Sequence, residues 1–204
     1  EDEIIGFSSV NIYPIAFGAT GRIFRLEGFK DELGTGVIEK RAIAKNVVLA
    51  NNNSIVQTVD GIYFAATSGF YFTDGTRVIK ISDAFNDTFT QILETSTQRS
   101  RIYGKYDPLN NRIFWCVTED SASTDNDLIY VLDLKWGSRP SGQGIVDTAD
   151  ATFTTIVPST NSWSPCCVGI DVSGNFVIGD RRGYLFKMDE NKFSDPRVNT
   201  SANP

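Results

Sequence analysis

Histidine is absent from this chain. That removes the commonest general base, the Ser-His-Asp and Cys-His arrangements, and most catalytic zinc sites. An excess of positive charge is also missing, since 19 Lys and Arg face 25 Asp and Glu for a net charge of −6. Electrostatic nucleic-acid binding, which gains affinity by neutralising phosphates, is therefore not expected. No apolar run approaches the roughly 20 residues of a membrane helix. The opening Glu1-Asp-Glu3 is acidic where a signal peptide would be basic. Methionine occurs once, at Met188, and the chain starts at Glu1, so a segment of a longer protein is expected. Phosphate loops, dinucleotide fingerprints and nucleophile elbows are missing as well.

Cysteine is scarce. Cys116, Cys166 and Cys167 leave at least one thiol unpaired in any intrachain scheme, and none has the two-residue spacing of a zinc knuckle or redox motif. Cys116 lies within Ile113-Phe-Trp-Cys-Val117, a buried-strand context where a thiol acts as a small hydrophobe. Vicinal Cys166-Cys167 could close a strained disulfide, but adjacent strand residues point to opposite faces. Unpaired thiols, compatible with a reducing cytoplasm, are the expectation.

What the chain does have is one short strand written four times. Gly21-Arg-Ile-Phe-Arg-Leu-Glu27, Thr76-Arg-Val-Ile-Lys-Ile-Ser82, Asp127-Leu-Ile-Tyr-Val-Leu-Asp133 and Gly183-Tyr-Leu-Phe-Lys-Met-Asp189 share two large apolar residues, a variable residue, a further apolar one and a polar one. The variable positions Arg25, Lys80, Val131 and Lys187 are 55, 51 and 56 residues apart. A period near fifty built from strands predicts propeller blades, with the repeated strand at one fixed position in each. The 12% aromatic content also favours β-structure.

The expected fold is all-β: a propeller-like array of four-stranded antiparallel blades, part of a larger propeller. Residues 1–45 form a partial first blade, with strands at Asn11–Phe17 and Arg22–Glu27 and a loop or insertion over 28–45. Residues 46–82 form the second, with runs at Asn46–Ala50, Ser54–Val59, Ile62–Ala66, Phe70–Thr73 and Arg77–Ser82 between Asp-Gly and Ser-Gly turns. Residues 83–150 give the third (Thr88–Leu93, Arg101–Tyr106, Arg112–Thr118, Asp127–Leu134) and a connecting loop from Trp136 to Asp150. Residues 151–192 give the fourth (Ala151–Val157, Cys167–Asp171, Asn175–Gly179, Tyr184–Asp189), and 193–204 an extended tail. The second and fourth share a Ser-Gly turn (Ser68-Gly69, Ser173-Gly174) before the penultimate strand and an Asp after it (Asp74, Asp180). Roughly three and a half blades are too few to close most rings, so further blades elsewhere in the chain or a cover for the exposed edges are expected.

Paired carboxylates are the remaining catalytic route. Asp83, Asp107, Asp171 and Asp180 lie at strand ends, where propeller sites gather, but Asp is also a standard turn residue and turn chemistry is favoured. The loop Glu119-Asp-Ser-Ala-Ser-Thr-Asp-Asn-Asp127 offers oxygen ligands for calcium, yet lacks the glycine and closing glutamate of the helical-hand loop. A solvated hairpin loop is the expectation there. Asp180-Arg-Arg-Gly183 sets two cations on a turn, available to a phosphate or an acidic partner. Tyr103, Tyr106, Phe114 and Trp115 could stack a ligand, although alternating aromatics are more often core. Asn86 and Asn199 begin glycosylation triplets, which carry meaning only in a secretory context. No catalytic, cofactor-binding or metal residue is assigned, and no cofactor is expected.

Two resemblances complete the reading. Tyr106-Asp-Pro-Leu-Asn-Asn-Arg-Ile-Phe-Trp115 followed by Ile129-Tyr-Val-Leu-Asp133 resembles one repeat of the lipoprotein-receptor YWTD propellers, whose Tyr-Trp-Thr-Asp core the other repeats lack. A broader similarity spans about residues 60–190. Gly61-Ile-Tyr-Phe, Ser68-Gly-Phe-Tyr-Phe-Thr-Asp-Gly75, Lys105-Tyr-Asp-Pro108, Leu132-Asp-Leu-Lys-Trp136 and Val177-Ile-Gly-Asp-Arg-Arg-Gly-Tyr-Leu-Phe186 resemble propeller-bearing nozzle, or tubular, proteins of short-tailed bacteriophage tails. That resemblance implies a non-enzymatic virion protein, assembled in the host cytoplasm, in a homo-oligomeric ring with other tail proteins around the DNA-ejection channel. DNA would pass without specific binding, because a negative lumen repels its backbone. The family transfers no catalytic residues. Two alternatives stand beside it: an extracellular propeller that binds protein or glycan, and a carboxylate-dependent glycosidase or lyase.

Overall fold

The computed structural model describes residues 2–30, 36–83, 89, 91–134, 152–156 and 164–188. It is all-β, with four antiparallel sheets. The first sheet is β1 (Ile4–Val10), β2 (Tyr13–Gly18), β3 (Ile23–Lys30) and β4 (Gly36–Ala44), in that order. The second is β5 (Val56–Gln57), β6 (Ile62–Ala66), β7 (Gly69–Thr73) and β8 (Val78–Lys80). The third holds β9 (Tyr103–Asp107), β10 (Arg112–Val117), β11 (Leu128–Asp133) and β12 (Thr152–Ile156). The fourth holds β13 (Pro165–Ile170), β14 (Phe176–Asp180) and β15 (Leu185–Lys187). Each is a meander whose neighbours in sequence are neighbours in the sheet.

Period-two alternation explains how the sheets pack. On β6, Ile62, Phe64 and Ala66 join a cluster with Val10, Ile15, Phe17 and Ile23 of the first sheet. The intervening Tyr63 and Ala65 join the opposite cluster, with Trp115 and Tyr130 of the third. β10 repeats the device, sending Ile113, Trp115 and Val117 towards the second sheet and Phe114 and Cys116 towards Val168, Phe176 and Ile178 of the fourth. Strands buried on both faces read as continuous apolar runs, and both of these do. Aromatic contacts cross each junction, among them Phe17–Phe64 with centroids at 5.0 Å, Phe70–Trp115 at 4.7 Å and Phe114–Phe176 at 3.8 Å. The sheets therefore stack in chain order, and their first strands gather on one side, β1 beside β5, β5 beside β9 and β9 beside β13.

Several strand expectations are corrected. Residues 28–45 contain the strand β4 and not only a loop. Its exposed centre, Glu39-Lys-Arg41, is the charged pattern that keeps an edge strand from pairing with another chain. The segment before Asn11 is a strand as well, so the first sheet has four strands. In the run Asn46–Ala50 only Leu49 makes a bridge, to Ala66. In place of a strand at Thr88–Leu93, Phe89, Gln91 and Ile92 are helical. Phe89, Ile92 and Leu93 are all buried, and that spacing suits one helical face, not a strand face. A short helix α1 (Ser96–Arg101) follows.

Thr152–Ile156, grouped by sequence with the fourth unit, pairs with β11 as the outer strand of the third sheet. The repeated strand is third in its meander at β3, β11 and β15 but fourth at β8, because the two-residue β5 adds a strand ahead of it. The shared Ser-Gly turns join β6 to β7 and β13 to β14, with Gly69 at φ +137° and Gly174 at +82°, where a β-carbon is disfavoured. The loop from Trp136 to Asp150, the tail 193–204 and the Asn86 and Asn199 triplets lie outside the described residues.

Candidate functional site

The four candidate carboxylates are absorbed by turns and ion pairs. Asp107 accepts the Leu109 N–H at 3.0 Å and the Asn110 side-chain amide at 3.0 Å in the β9–β10 turn. Asp171 accepts the Ser173 and Asn175 N–H groups, each at 2.8 Å, between β13 and β14. Asp180 accepts the Arg182 N–H at 2.7 Å and the Ser164 N–H at 3.0 Å. Asp74 likewise takes the Thr76 N–H at 2.8 Å, so in each of these turns a carboxylate caps the N–H two residues on. Asp83 instead pairs with Lys80 at 3.2 Å.

The electrostatics of Asp171 and Asp180 match capping. The Asn175 side chain and N–H hold Asp171 below the ordinary carboxylate range. Burial pushes Asp180 up, but the Ser164 and Arg182 N–H groups and the Arg182 guanidinium outweigh it and leave that carboxyl low. A general acid at neutral pH needs the opposite displacement. A group lowered in the folded state stabilises above its unfolded range and loses that contribution as pH falls through the folded value. Asp180→Ala is expected to cost about 2 kcal/mol near neutrality, the scale of a charged hydrogen-bond set. The gap to wild type should shrink below about pH 4. Urea midpoints measured from pH 7 downward check this, and a pH-independent gap would contradict the capping role.

The remaining charged motifs are used internally. Arg182 grips Asp180 through Nε and Nη2, both at 3.0 Å, and Arg181 pairs with Asp125 of the loop over residues 119–127. In that loop Asp127 accepts the Glu119 N–H at 2.8 Å, and Asp120 accepts the Ala122 N–H at 2.8 Å. Among the described residues no group of three acidic or thiol side chains is arranged to hold a metal ion.

The aromatic quartet is divided. Phe114 and Trp115 are buried in opposite junctions. Tyr103 and Tyr106 line a cleft of about 820 Å³ along the gathered first strands β5, β9 and β13. The exposed Lys105 stands between them, and Asn52, Asn53 and Gln57 supply amides from the opposite wall. Asn51 shapes that wall by capping the 3-10 turn Asn52–Ser54, accepting the Ser54 N–H at 3.0 Å. The Tyr106 hydroxyl donates to Asn111 at 2.8 Å, and burial, followed by the nearby Cys167 and Cys116, pushes the Tyr103 phenol up. The described lining holds no carboxylate. It offers amide hydrogen-bonding groups, two phenol rings and one cation. Sequence reading missed the amide wall because Asn51-Asn-Asn53 carries an ordinary turn signature. A scan against protein-family models finds no match for this chain, and a search of curated proteins finds no relative.

Proposed function

We propose that the chain is a non-enzymatic structural β-propeller segment of a short-tailed phage tail nozzle, packing in a ring around the DNA-ejection channel. The observation that carries this reading is the stack: four meanders in chain order, face to face, with their first strands on one side. In a propeller the first strands line the axis. Both end sheets keep apolar outer faces to which further blades or neighbouring subunits can add. Phe7 (56% exposed) and Ile38 (69%) lie on the outer face of the first sheet, and Leu185 (77%) on that of the fourth. The tail assignment rests on the strand and turn segments between residues 60 and 190, and the charge of −6 suits a channel through which DNA slides. Electron microscopy of the purified protein is expected to show rings of fixed symmetry. A dispersed monomer at micromolar concentration would sink the reading.

The cleft favours a second reading, a propeller that binds a polar chain such as a glycan. Amides, tyrosines and one lysine converge there. Glycan-array binding that disappears in Lys105→Ala, without ring formation, would select it over the first.

A further inference from the structure

Strand alternation argues that Cys166 and Cys167 face apart, but β13 carries a bulge at this point. Pro165 pairs with Asp180 and Cys167 with Gly179, which leaves Cys166 as the extra residue. A bulge re-aims side chains. The Cys166 thiol accordingly lies 3.9 Å from the Cys167 sulfur and donates to the Gly179 carbonyl at 3.4 Å. Cys167 rests over the bare α-carbon of Gly179, where an added β-carbon would come within 2.5 Å of its sulfur. Cys166 is exposed and Cys167 half-buried, although burial and then the adjacent Cys167 push the Cys166 thiol up, so its thiolate forms most readily at alkaline pH. Cys116 is buried and its thiol is pushed far up by that burial.

A second observation concerns what can reach the pair. Cys166 opens on a cleft of about 530 Å³ that also holds Arg101, Arg181, Asp125, Asn126 and Ser164. Arg101 donates to the Ser123 carbonyl at 3.0 Å and Arg181 pairs with Asp125, so the two guanidinium groups are held at its walls. Such a cleft suits a small molecule that carries carboxylates.

We propose that Cys166 and Cys167 form a thiol–disulfide exchange site, oxidised reversibly to a vicinal disulfide by a small anionic disulfide such as glutathione disulfide. The Cys166 thiolate attacks one sulfur of that disulfide, the S–S bond breaks, and the departing thiolate takes up the proton that Cys166 released. The Cys167 thiolate then attacks the Cys166 sulfur and expels the second small thiol, which takes the Cys167 proton. Two protein thiols are oxidised and one small disulfide is reduced. Neighbouring α-carbons across a trans peptide are about 3.8 Å apart, closer than bridged cysteines usually sit. The ring is therefore strained and easily reduced, as labile disulfides are.

The test incubates native protein with glutathione disulfide, quenches with acid and measures intact mass and thiols alkylated after unfolding. The expected product has lost two hydrogens, keeps Cys116 as its one alkylatable thiol, and returns to three free thiols with dithiothreitol. Cys167→Ser should instead accumulate a glutathione adduct at Cys166. Gly179→Ala, which crowds the Cys167 sulfur, should shift wild-type behaviour towards that adduct. The serine variant carries the test if the alanine variant misfolds. A stable adduct on the wild type, a disulfide-linked dimer, or a chain that stays fully reduced would each overturn the proposal.

Discussion

Trp115→Ala is expected to lower the unfolding free energy by about 3–5 kcal/mol, a large share of what holds a domain of this size together. Three features place it at the top of the range. The indole is fully buried at the junction of the second and third sheets. It packs against Phe70 at 4.7 Å and Phe153 at 6.4 Å, so its loss opens a cavity lined by rings that cannot all move in. Its Nε1 also donates to the Ser54 carbonyl at 3.0 Å across the junction. Gly104, opposite it on β9, is shaped for the indole, since a β-carbon there would approach the ring within 2.7 Å.

The form of unfolding should change with the amount. Sheets that touch only their neighbours have stabilities that approximate a sum of unit and interface terms. Weakening the middle junction should uncouple a front pair of sheets from a back pair, and the urea transition should broaden with a lower apparent m-value. Trp115→Phe keeps most of the ring contact and loses the Ser54 bond, so about 1–2 kcal/mol and a sharp transition are expected. Circular dichroism against urea for both variants measures this. A loss below about 1 kcal/mol for the alanine variant would show that the junction is not where the stack is held.

The junctions were the legible part of the fold. Ile62–Ala66 and Ile113-Phe-Trp-Cys-Val117 are continuous apolar runs between turn signals, and a strand buried on both faces must look like that. The solvent edges were hardest to read. β4 is exposed along most of its length and charged at its centre, so no alternation marked it. Nearness in sequence groups β12 with the fourth sheet, whereas its partner is fixed by the Leu132–Phe153 register with β11. Composition carries no signal for such a pairing.

The turn carboxylates were legible for a related reason. Asp74, Asp107, Asp171 and Asp180 each cap an N–H two residues on, and local chemistry of that kind survives in a local reading. The cleft was only half legible. Tyr103 and Tyr106 stood out by type, but their neighbours Asn52, Asn53 and Gln57 come from the 3-10 turn and strand β5, about fifty residues away. Likewise the approach of Cys166 to Cys167 depends on one bulge, which alternation alone cannot foresee.

Gln98→Leu is the second large loss expected, at about 2–4 kcal/mol, although it replaces a polar side chain with an apolar one of similar size. Gln98 is buried in α1, a helix too short to stand without tertiary support. Its carbonyl accepts the Thr95 N–H and hydroxyl, each at 3.0 Å, which closes the capping box. Its amide donates to the carbonyls of Gln91, Thr118 and Glu119 at 3.2, 3.1 and 3.3 Å, tying the helix to the end of β10. Leucine leaves those carbonyls without this donor while keeping the volume, so a cavity does not explain the loss. Gln98→Glu separates hydrogen bonding from shape further. A carboxylate still accepts from Thr95 but turns an oxygen towards three carbonyl oxygens, which raises its folded-state pKa above the unfolded value. A raised group contributes its stability below the unfolded pKa and loses it as pH rises through the folded one. Gln98→Glu should therefore approach wild type near pH 4 and fall behind it towards pH 7, by about 2 kcal/mol or more. Urea midpoints across that interval decide it, and a glutamate variant equally stable at both ends would remove Gln98 as the tie between α1 and the third sheet.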